Sequence, residues 1–574
     1  MSEIYPLQGP IPHVPDDLTL PQFILDTRHP QRPLNTFLNP WFIEEATGRQ
    51  IGFEEVRART FGLANELKAR WNIGENDIVC IFSPNHVDYP IATWAIHRLG
   101  AIVTTANPAY TSEELTHQIN LVKTKHIITH STSLAVVEAS AKETGIPLSN
   151  IIVIDLDYKG NAYSTVDSLI KAGLSKEPTF VERRLNPGEA KTKLAFLICS
   201  SGTTGKPKAV AIPHIAPIAN VIQMAFYARV TEDYTSYEDR RYRVGDVTYA
   251  VLPFYHIYGL VVNLHFYLFC GHTLVISSKF NFTGMLKSIE RYHINHMLLV
   301  PPMIVLLCKN PEVKNYNLKS LRFIMCGAAP LSAELTNQAV KILPDVGISQ
   351  GYGMTETSTT VTFPRIDQKI GTPGSAGELL PGCIARVVKE DGSLAKFGEQ
   401  GELWVKTPSS ALRYLNNDEA TKETFVDGWV RTGDEVIMNE RREVFVVDRM
   451  KEILKVKGFQ VAPAELEGHL LEHPEVSDTC VVGIPDEYSG EVPLAFVVPS
   501  QNALERIKRD PSESEKVKAS IMKHVSDHKV HYKRLAGGVV FLDVIPKNPS
   551  GKLLRRVLRE KAKQLKAVPP KAKL

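Results

Sequence analysis

Four hydroxyls, two glycines and two lysines crowd into nine residues, Ser200, Ser201, Gly202, Thr203, Thr204, Gly205, Lys206, Pro207 and Lys208, directly after the apolar run 194–198. Backbone N–H groups freed by glycine curl into a concave anion nest, hydroxyls add donors, and a lysine supplies charge, so the loop suits a polyphosphate. It is not a Walker A loop, because two residues rather than four separate Gly202 from Gly205 and Lys206 is followed by Pro. A polar surface turn has the same composition, so on its own the loop leaves both readings open.

Other stretches pair reactive groups with turns. His256 lies in the apolar segment LPFYHIYG, 252–259, where a satisfied core histidine is the commoner reading. CGAAPL, 326–331, ends a predicted strand in small residues, Gly327, Ala328 and Ala329, that let a ligand approach the backbone closely. QGYGMTET, 350–357, holds Gln350, Gly351 and Gly353 around three useful groups. Tyr352 can stack on a base, Thr355 can donate to a phosphate, and Glu356 is a hard oxygen ligand suited to Mg²⁺ bound mainly through phosphates and water. Asp434, on the turn of GWVRTGDEV, can accept from two vicinal hydroxyls. Lys552 sits on the Pro/Gly-rich turn of PKNPSGKLLRR before a basic helix. Taken singly, each is also an ordinary turn residue or solvated side chain.

Taken in order, from NPAYTSEEL at 107 to NPSGKLLRR at 548, these stretches resemble the adenylate-forming superfamily of acyl-CoA synthetases, luciferases and nonribosomal adenylation domains, and within it the 4-coumarate:CoA ligase-like acyl-CoA ligases. The resemblance implies a two-step acid:CoA ligase using ATP, Mg²⁺ and coenzyme A. The loop at 200–208 would grip the β- and γ-phosphates transiently, with Lys208 as the contact, Lys206 solvated and the loop mobile. His256 would lie beside the acyl group and the AMP phosphate, Gly327 to Ala329 against adenine, and Glu356 at the metal. Asp434 and Arg449 would hold the ribose, and Lys552 would bridge the substrate carboxylate and the α-phosphate. In DRMKEILKVKGFQVAPAELE, 448–467, Lys451 is implied as a hinge, with Lys455, Lys457, Gly458 and Gln460 on a loop that serves the second half-reaction along the pantetheine tunnel.

The acid is less legible. No Asp or Glu occurs from 247 to 288, which argues against an amino-acid-activating pocket, where a substrate ammonium needs a carboxylate. Tyr258 matches hydroxycinnamate ligases, but Val262 stands where Ser is common and Thr359-Thr360-Val361 replaces Gly-Pro-Val, while Ala209 replaces the Gly usual after the loop lysine. An aromatic (hydroxycinnamate- or arylalkanoate-like) or fatty acid is expected. Two other classes compete: a luciferase-like oxygenase on the same fold, and a non-catalytic nucleotide-binding protein.

These residues need a large scaffold. The chain has 574 residues, far more than one core serves. Short apolar runs alternate with amphipathic helix-length segments from about 50 to 340, predicting layered α/β subdomains with largely parallel sheets. From about 370 to 448, short strands with tight turns such as Asp391-Gly392 predict a small β-barrel or sandwich. A small, mobile α+β C-terminal domain is expected over 449–574, against an N-terminal adenylation domain over 1–448. A formal charge of +3 with 22% charged residues makes nucleic acid an unlikely partner. Seven scattered cysteines, never closer than 18 residues, suggest neither a disulfide framework nor a zinc site. The opening residues do not read as a secretory signal. The apolar stretch 250–270 is interrupted by Pro253, His256, Asn263 and His265 and reads as core rather than membrane helix. Ala572-Lys573-Leu574 is one substitution from a peroxisomal address, so a peroxisomal location with an import receptor as partner is expected, a cytoplasmic one being the alternative.

Overall fold

The computed structural model describes residues 3–155, 158–159, 162–200, 207–457, 459–486, 488–548 and 551–567. Ser201, Gly202, Thr203, Thr204, Gly205 and Lys206 of the first loop, Gly458, and Ala572-Lys573-Leu574 lie outside the described residues.

Two large sheets form the body. In the first, Leu194–Ser200, Ile102–Ala106, Ile78–Phe82, His126–Thr129, Ile151–Val153 and Ser164–Thr165 run parallel in that spatial order, and Lys208–Pro213 folds back antiparallel on Leu194–Ser200. The second orders Gly347–Gln350, Phe323–Cys326, His296–Leu299, Val247–Ala250, Thr273–Ile276 and Phe42–Glu44 in parallel, with Gln50–Ile51 antiparallel at the edge. Strands such as IVCIF at Ile78–Phe82 are rich in β-branched residues and buried on both faces, as central parallel strands must be. The helices between them carry their own punctuation. Phe53–Trp71 has Glu54 and Glu55 in its first turn, Lys68 and Arg70 in its last, and ends at Asn72 with φ 52°, so charge follows the helix dipole and an Asn takes the left-handed cap.

The apolar stretch at 250–270 is core, as expected. After the strand Val247–Ala250 it turns and enters a π-helix, Tyr258–Phe266, that continues as Tyr267–Phe269, buried throughout. Its His265 accepts from Trp94 Nε1 at 3.1 Å through Nε2 and reaches the Leu260 carbonyl at 2.6 Å through Nδ1. Among the described residues no helix is long and apolar enough to cross a membrane.

The predicted barrel is replaced by an open sheet. Ile384–Val388, Gln400–Lys406, Trp429–Met438 and Phe425–Val426 pair antiparallel, Val444–Arg449 adds to Trp429–Met438, and no ladder among the described residues closes the ends. Phe425–Val426 at one end of the order is only two residues long and does not pair with Ile384–Val388 at the other, so the sheet stays open.

Beyond residue 453 a smaller α+β domain has its own sheet, with Gly490–Pro499 at its centre and Val476–Asp486 along one edge. Two apolar clusters belong to it alone, one including Leu454, Leu466, Ile521 and Val539 and the other Cys480, Phe496, Ile545 and Leu558. The charged segment after 500 forms a helix, Gln501–Arg509, that buries Ala503.

Candidate active site

The C-terminal ends of the second sheet's strands deliver most of the chemistry-bearing residues to one cleft. Phe323–Cys326 leads into Gly327, Ala328 and Ala329, where Ala328 adopts φ 68°. Gln350, at the end of the neighbouring strand, clamps that turn: its Oε1 accepts from Leu331 N–H at 2.7 Å and its Nε2 donates to the Leu331 carbonyl at 2.9 Å. Gly351 joins the clamp to Tyr352–Met354, which pairs with Thr359–Phe363 so tightly that a Cβ on Gly353 would lie 1.4 Å from the Thr359 carbonyl oxygen. Only glycine fits there. Thr359 itself is held at φ 100°, an outlier for a β-branched residue, with its hydroxyl donating to the Ile257 carbonyl at 3.0 Å.

Tyr352 Oη donates to Asp434 Oδ2 at 2.6 Å, and Arg449 Nε lies 3.5 Å from Asp434 Oδ1 across the antiparallel pair Trp429–Met438 and Val444–Arg449. Burial and the Asp434 carboxylate hold the Tyr352 phenol well above its ordinary range, so it stays a donor. Arg449 is raised despite its burial by Asp434 and Glu452.

Glu356, 6% exposed, accepts from Tyr414 Oη at 2.7 Å through Oε1. Its Oε2 has no hydrogen bond to a described residue. Lys208 lies with Nζ 4.9 Å from the centre of the Tyr414 ring, so loop lysine and candidate metal carboxylate meet at one tyrosine. Tyr414, 58 residues from Glu356 and outside every motif, carries no local mark that singles it out. Ser200, at the end of its strand, pairs with Lys208 and so opens the loop beside this group. Thr355 begins the short turn that carries Glu356.

His256 accepts the Tyr258 N–H at 3.3 Å on Nδ1, which places the proton of a neutral ring on Nε2. Burial, then the charge of Lys552, lowers its pKa to about 4. Lys552 itself is lowered to about 8, by burial first and then by Arg449, against the opposite pull of Glu452 and Asp434. These couplings bring His256, Asp434, Arg449 and Lys552 into one electrostatic group. The turn bearing Lys552 is closed by Lys552 N–H donating to Asn548 Oδ1 at 2.8 Å and Asn548 N–H donating to the Lys552 carbonyl at 2.9 Å. Gly551, at φ 80°, lets this turn press on the large domain, since a Cβ there would stand 2.7 Å from Val300 Cγ2.

The other lysine face is elsewhere. Lys455, Lys457 and Gln460 lie on the hairpin of Leu454–Val456 and Phe459–Val461, with Lys457 at φ 51°. Lys455 N–H donates to Glu491 at 2.9 Å, Lys457 Nζ covers the Tyr488 ring, and Gln460 Nε2 donates at 3.3 Å to Glu390 on the turn after Ile384–Val388. Lys451 is exposed on the turn between the domains. The structure thus does not bring Lys451, Lys455, Lys457 or Gln460 to the cleft that holds Lys552.

Of the expected acid-pocket residues, Tyr258 packs under Gly327, whose Cβ would meet the Tyr258 ring at 3.0 Å, and donates to the Met325 carbonyl at 3.3 Å. Val262 is fully buried on the π-helix. Thr360 is turned toward the helix Ile215–Tyr227, where Asn220 brackets its main chain at 3.1 and 2.8 Å and Met224 Sδ accepts from its hydroxyl at 3.3 Å. Asn220 was missed because a buried amide in an apolar helix looks like any other core residue.

A cleft that collects Lys208, the Asp434–Arg449 pair and Lys552 from a second domain has counterparts of known family. The AMP-binding enzyme family matches residues 26–415, and the AMP-binding enzyme C-terminal domain matches 465–552. The chain belongs to this family. The chain of this AMP-binding enzyme is 36% identical over 524 residues to a probable CoA ligase, CCL5, of Humulus lupulus, covering 90% of this chain and 89% of the relative. It is 34% identical to 4-coumarate–CoA ligase 3 of Oryza sativa subsp. japonica (91% and 89% covered) and to peroxisomal OPC-8:0-CoA ligase 1 of Arabidopsis thaliana (97% and 96% covered). Among solved structures, ATP-bound MatB from Rhodopseudomonas palustris superposes with a TM-score of 0.78 at 26% identity, over 96% of this chain and 99% of the other. This AMP-binding enzyme is an ATP-dependent, AMP-forming acid:CoA ligase of mixed α/β fold, with a large N-terminal and a smaller C-terminal domain.

Proposed function

We propose that this enzyme activates an acid with an uncharged aromatic (hydroxycinnamate- or arylalkanoate-like) or fatty tail, and that Lys552 directs the first half-reaction. The grouping of Lys552 with Asp434, Arg449 and His256 carries the reading. A carboxylate is a poor acyl donor because its leaving group would be an oxide. Attack of the carboxylate oxygen on the α-phosphorus, with pyrophosphate leaving, exchanges that oxide for AMP. Lys552 and Lys208 would neutralise charge developing on the phosphates, and Thr355 would donate to the α-phosphate. Asp434 and Arg449 would hold the ribose, Tyr352 would stack on adenine against the backbone of Gly327, Ala328 and Ala329, and neutral His256 would close the pocket against water. Coenzyme A sulfur then attacks the acyl carbon and AMP leaves.

Glu356 fits a Mg²⁺ ion: a buried carboxylate with one oxygen held by Tyr414 and the other without a protein partner among the described residues can serve as a single hard ligand to an ion bound mainly through phosphate and water. When bound there, Mg²⁺ would supply Lewis-acid charge stabilisation.

For the second half-reaction we propose that the domain after residue 448 turns about Lys451, withdrawing Lys552 and bringing the hairpin of Lys455, Lys457, Gly458 and Gln460 to the cleft. Exposure of Lys451 and the separation of the two lysine faces support this. The neutral pocket wall of Tyr258, Val262 and Thr359 supports an acid without an ammonium, and the likeness to a 4-coumarate–CoA ligase supports the aromatic option. A peroxisomal setting, with an import receptor reading Ala572-Lys573-Leu574, belongs to the same proposal, and the peroxisomal relative supports it. The test is AMP release that requires both acid and coenzyme A, run across aromatic, aliphatic and amino acids. Release with amino acids alone would overturn the pocket reading.

A further inference from the structure

Four histidines gather on the small domain, away from the cleft. His524 and His528 stand four residues apart on the helix Glu513–His528, a spacing that puts both rings on one face. The facing helix, Pro463–Leu470, contributes His469, whose ring stacks on His524 with centroids 4.1 Å apart and lies 5.3 Å from His528. One ligand-capable nitrogen from each of His469, His524 and His528 falls within 4.8 Å of the others, and burial grades from the enclosed His469 to the exposed His528. An ion could therefore enter from solvent. His473 flanks the group with its ring centroid 5.2 Å from that of His524 and its Nε2 3.1 Å from Ser520 Oγ.

Hydrogen bonds fix which nitrogen each ring of the trio leaves free, and His524, with Nε2 3.2 Å from the His469 carbonyl, leaves Nδ1 when it donates there. His469 Nδ1 donates to Glu472 Oε2 at 2.8 Å, the carboxylate–imidazole pairing that orients metal-ligating histidines and leaves Nε2 as the ligand atom. His528 Nδ1 donates to the His524 carbonyl at 2.8 Å, which likewise leaves Nε2. His469 Nε2 also lies 3.3 Å from the His524 carbonyl, but a neutral ring has one proton and cannot donate to both that oxygen and Glu472. A second ring proton or a metal ion at Nε2 resolves this conflict. A second buried group, Asp246, His272 and His296, offers similar donors, but Arg243 and Arg322 already hold its carboxylate at 2.8 and 2.7 Å, and a cation would meet two guanidiniums.

We propose that His469, His524 and His528 bind one zinc-class divalent ion, with Glu472 as the supporting carboxylate. Three imidazoles select Zn²⁺, Co²⁺ or Ni²⁺ over Mg²⁺ or Ca²⁺. Ligand nitrogens in a tetrahedral zinc site stand roughly 3.3 Å apart, so binding draws the rings together and unstacks His469 from His524. The ion would staple helix Pro463–Leu470 to helix Glu513–His528. The first of these touches the large domain, since a Cβ on Gly468 would lie 3.0 Å from Ser332 Cβ.

The experiment titrates the untagged full chain with Zn²⁺ by calorimetry and with Co²⁺ by visible absorption. One Zn²⁺ per chain, a visible Co²⁺ band, a Zn²⁺-dependent rise in Tm, and at least a tenfold loss of affinity in both H524A and H528A are expected. His528 is exposed, so H528A should fold as the parent does, and equal Tm values without metal check this. Glu472→Gln should weaken binding by about tenfold. Absence of stoichiometric Zn²⁺ binding at micromolar concentrations, or undiminished binding in H528A, overturns the site.

Discussion

With Lys552 in its proposed role, the adenylation step should depend on pH with a definite sign. Its pKa is lowered from 10.5 to about 8, with burial the larger cause and Arg449 the next. At 1.36 kcal/mol per unit this shift is roughly 3 kcal/mol, the cost of keeping the ammonium charged in the docked turn before any phosphate arrives. Between pH 8 and 10.5 the undocked lysine binds more protons than the docked one, so docking strengthens as pH rises through that window. Catalysis should move the other way, because deprotonated Lys552 cannot neutralise the α-phosphate. The assay is acid-dependent exchange of pyrophosphate into ATP at subsaturating substrate, from pH 6.5 to 9.5, with a carboxylic acid that has no titrating phenol. kcat/KM, which reports the free enzyme, should be level below about pH 8 and fall toward tenfold per unit above it. Lys552→Arg, charged throughout, should lose the alkaline limb even at a lower plateau, and Lys552→Ala should fall about 10²–10³-fold. Normal exchange by Lys552→Ala, or an unchanged alkaline limb in Lys552→Arg, refutes the reasoning.

Other perturbations separate the remaining roles. Lys451→Pro should preserve acyl-adenylate formation and abolish thioester formation, and equal loss of both would sink the two-position proposal. Asp434→Asn removes a charged acceptor worth about 1.5–3 kcal/mol, so the KM for ATP should rise by about 10- to 100-fold with the KM for the acid little changed; steady-state kinetics in both substrates decide it. Glu356→Gln should raise the Mg²⁺ concentration needed for half-maximal exchange by about tenfold or more, the equivalent of one lost charged contact, and an unaltered Mg²⁺ dependence would exclude Glu356 as a ligand. Gly353→Ala must displace the Thr359 carbonyl and should destabilise the large domain by about 3 kcal/mol or more, read as a lowered Tm; a Tm equal to the parent's would show that the strand pair is softer than its geometry implies.

How much of this was legible in the sequence depended on whether a residue acts through its neighbours in the chain. The layered α/β body, the small second domain and the buried character of 250–270 follow from hydrophobic period and interrupting polar residues, which are local. Asp434, Tyr352 and Lys552 are ordinary residues taken singly, and only the order of motifs, through its resemblance to adenylate-forming enzymes, singles them out. Tyr414 and Asn220 were invisible, since what marks them is a partner far along the chain, Glu356 for one and Thr360 for the other. The barrel failed for a related reason: alternation identifies strands, while closure depends on pairing between the first and last of them. Nor could sequence tell which lysine face occupies the cleft, because both ride on one domain and its orientation is a tertiary choice.

That shared ride is enforced by Arg555. Three residues beyond Lys552, it donates to Glu452 and to Glu467, each at 2.6 Å, and the adjoining Asp448 accepts the N–H groups of Ala464 and Arg449. Arg555 and Glu467 are almost fully enclosed, and removing one member of such a cluster strands the others, at about 3–5 kcal/mol. Mechanically, the bolt turns the segment just after Lys451 and the turn bearing Lys552 into two ends of one crank. In the rotation proposed about Lys451, a torque at the pivot would not be absorbed by slack between them, so one lysine would retreat in the same stroke that advances the other. Under that proposal the two half-reactions would not idle together, and the reactive adenylate would not meet both tools at once.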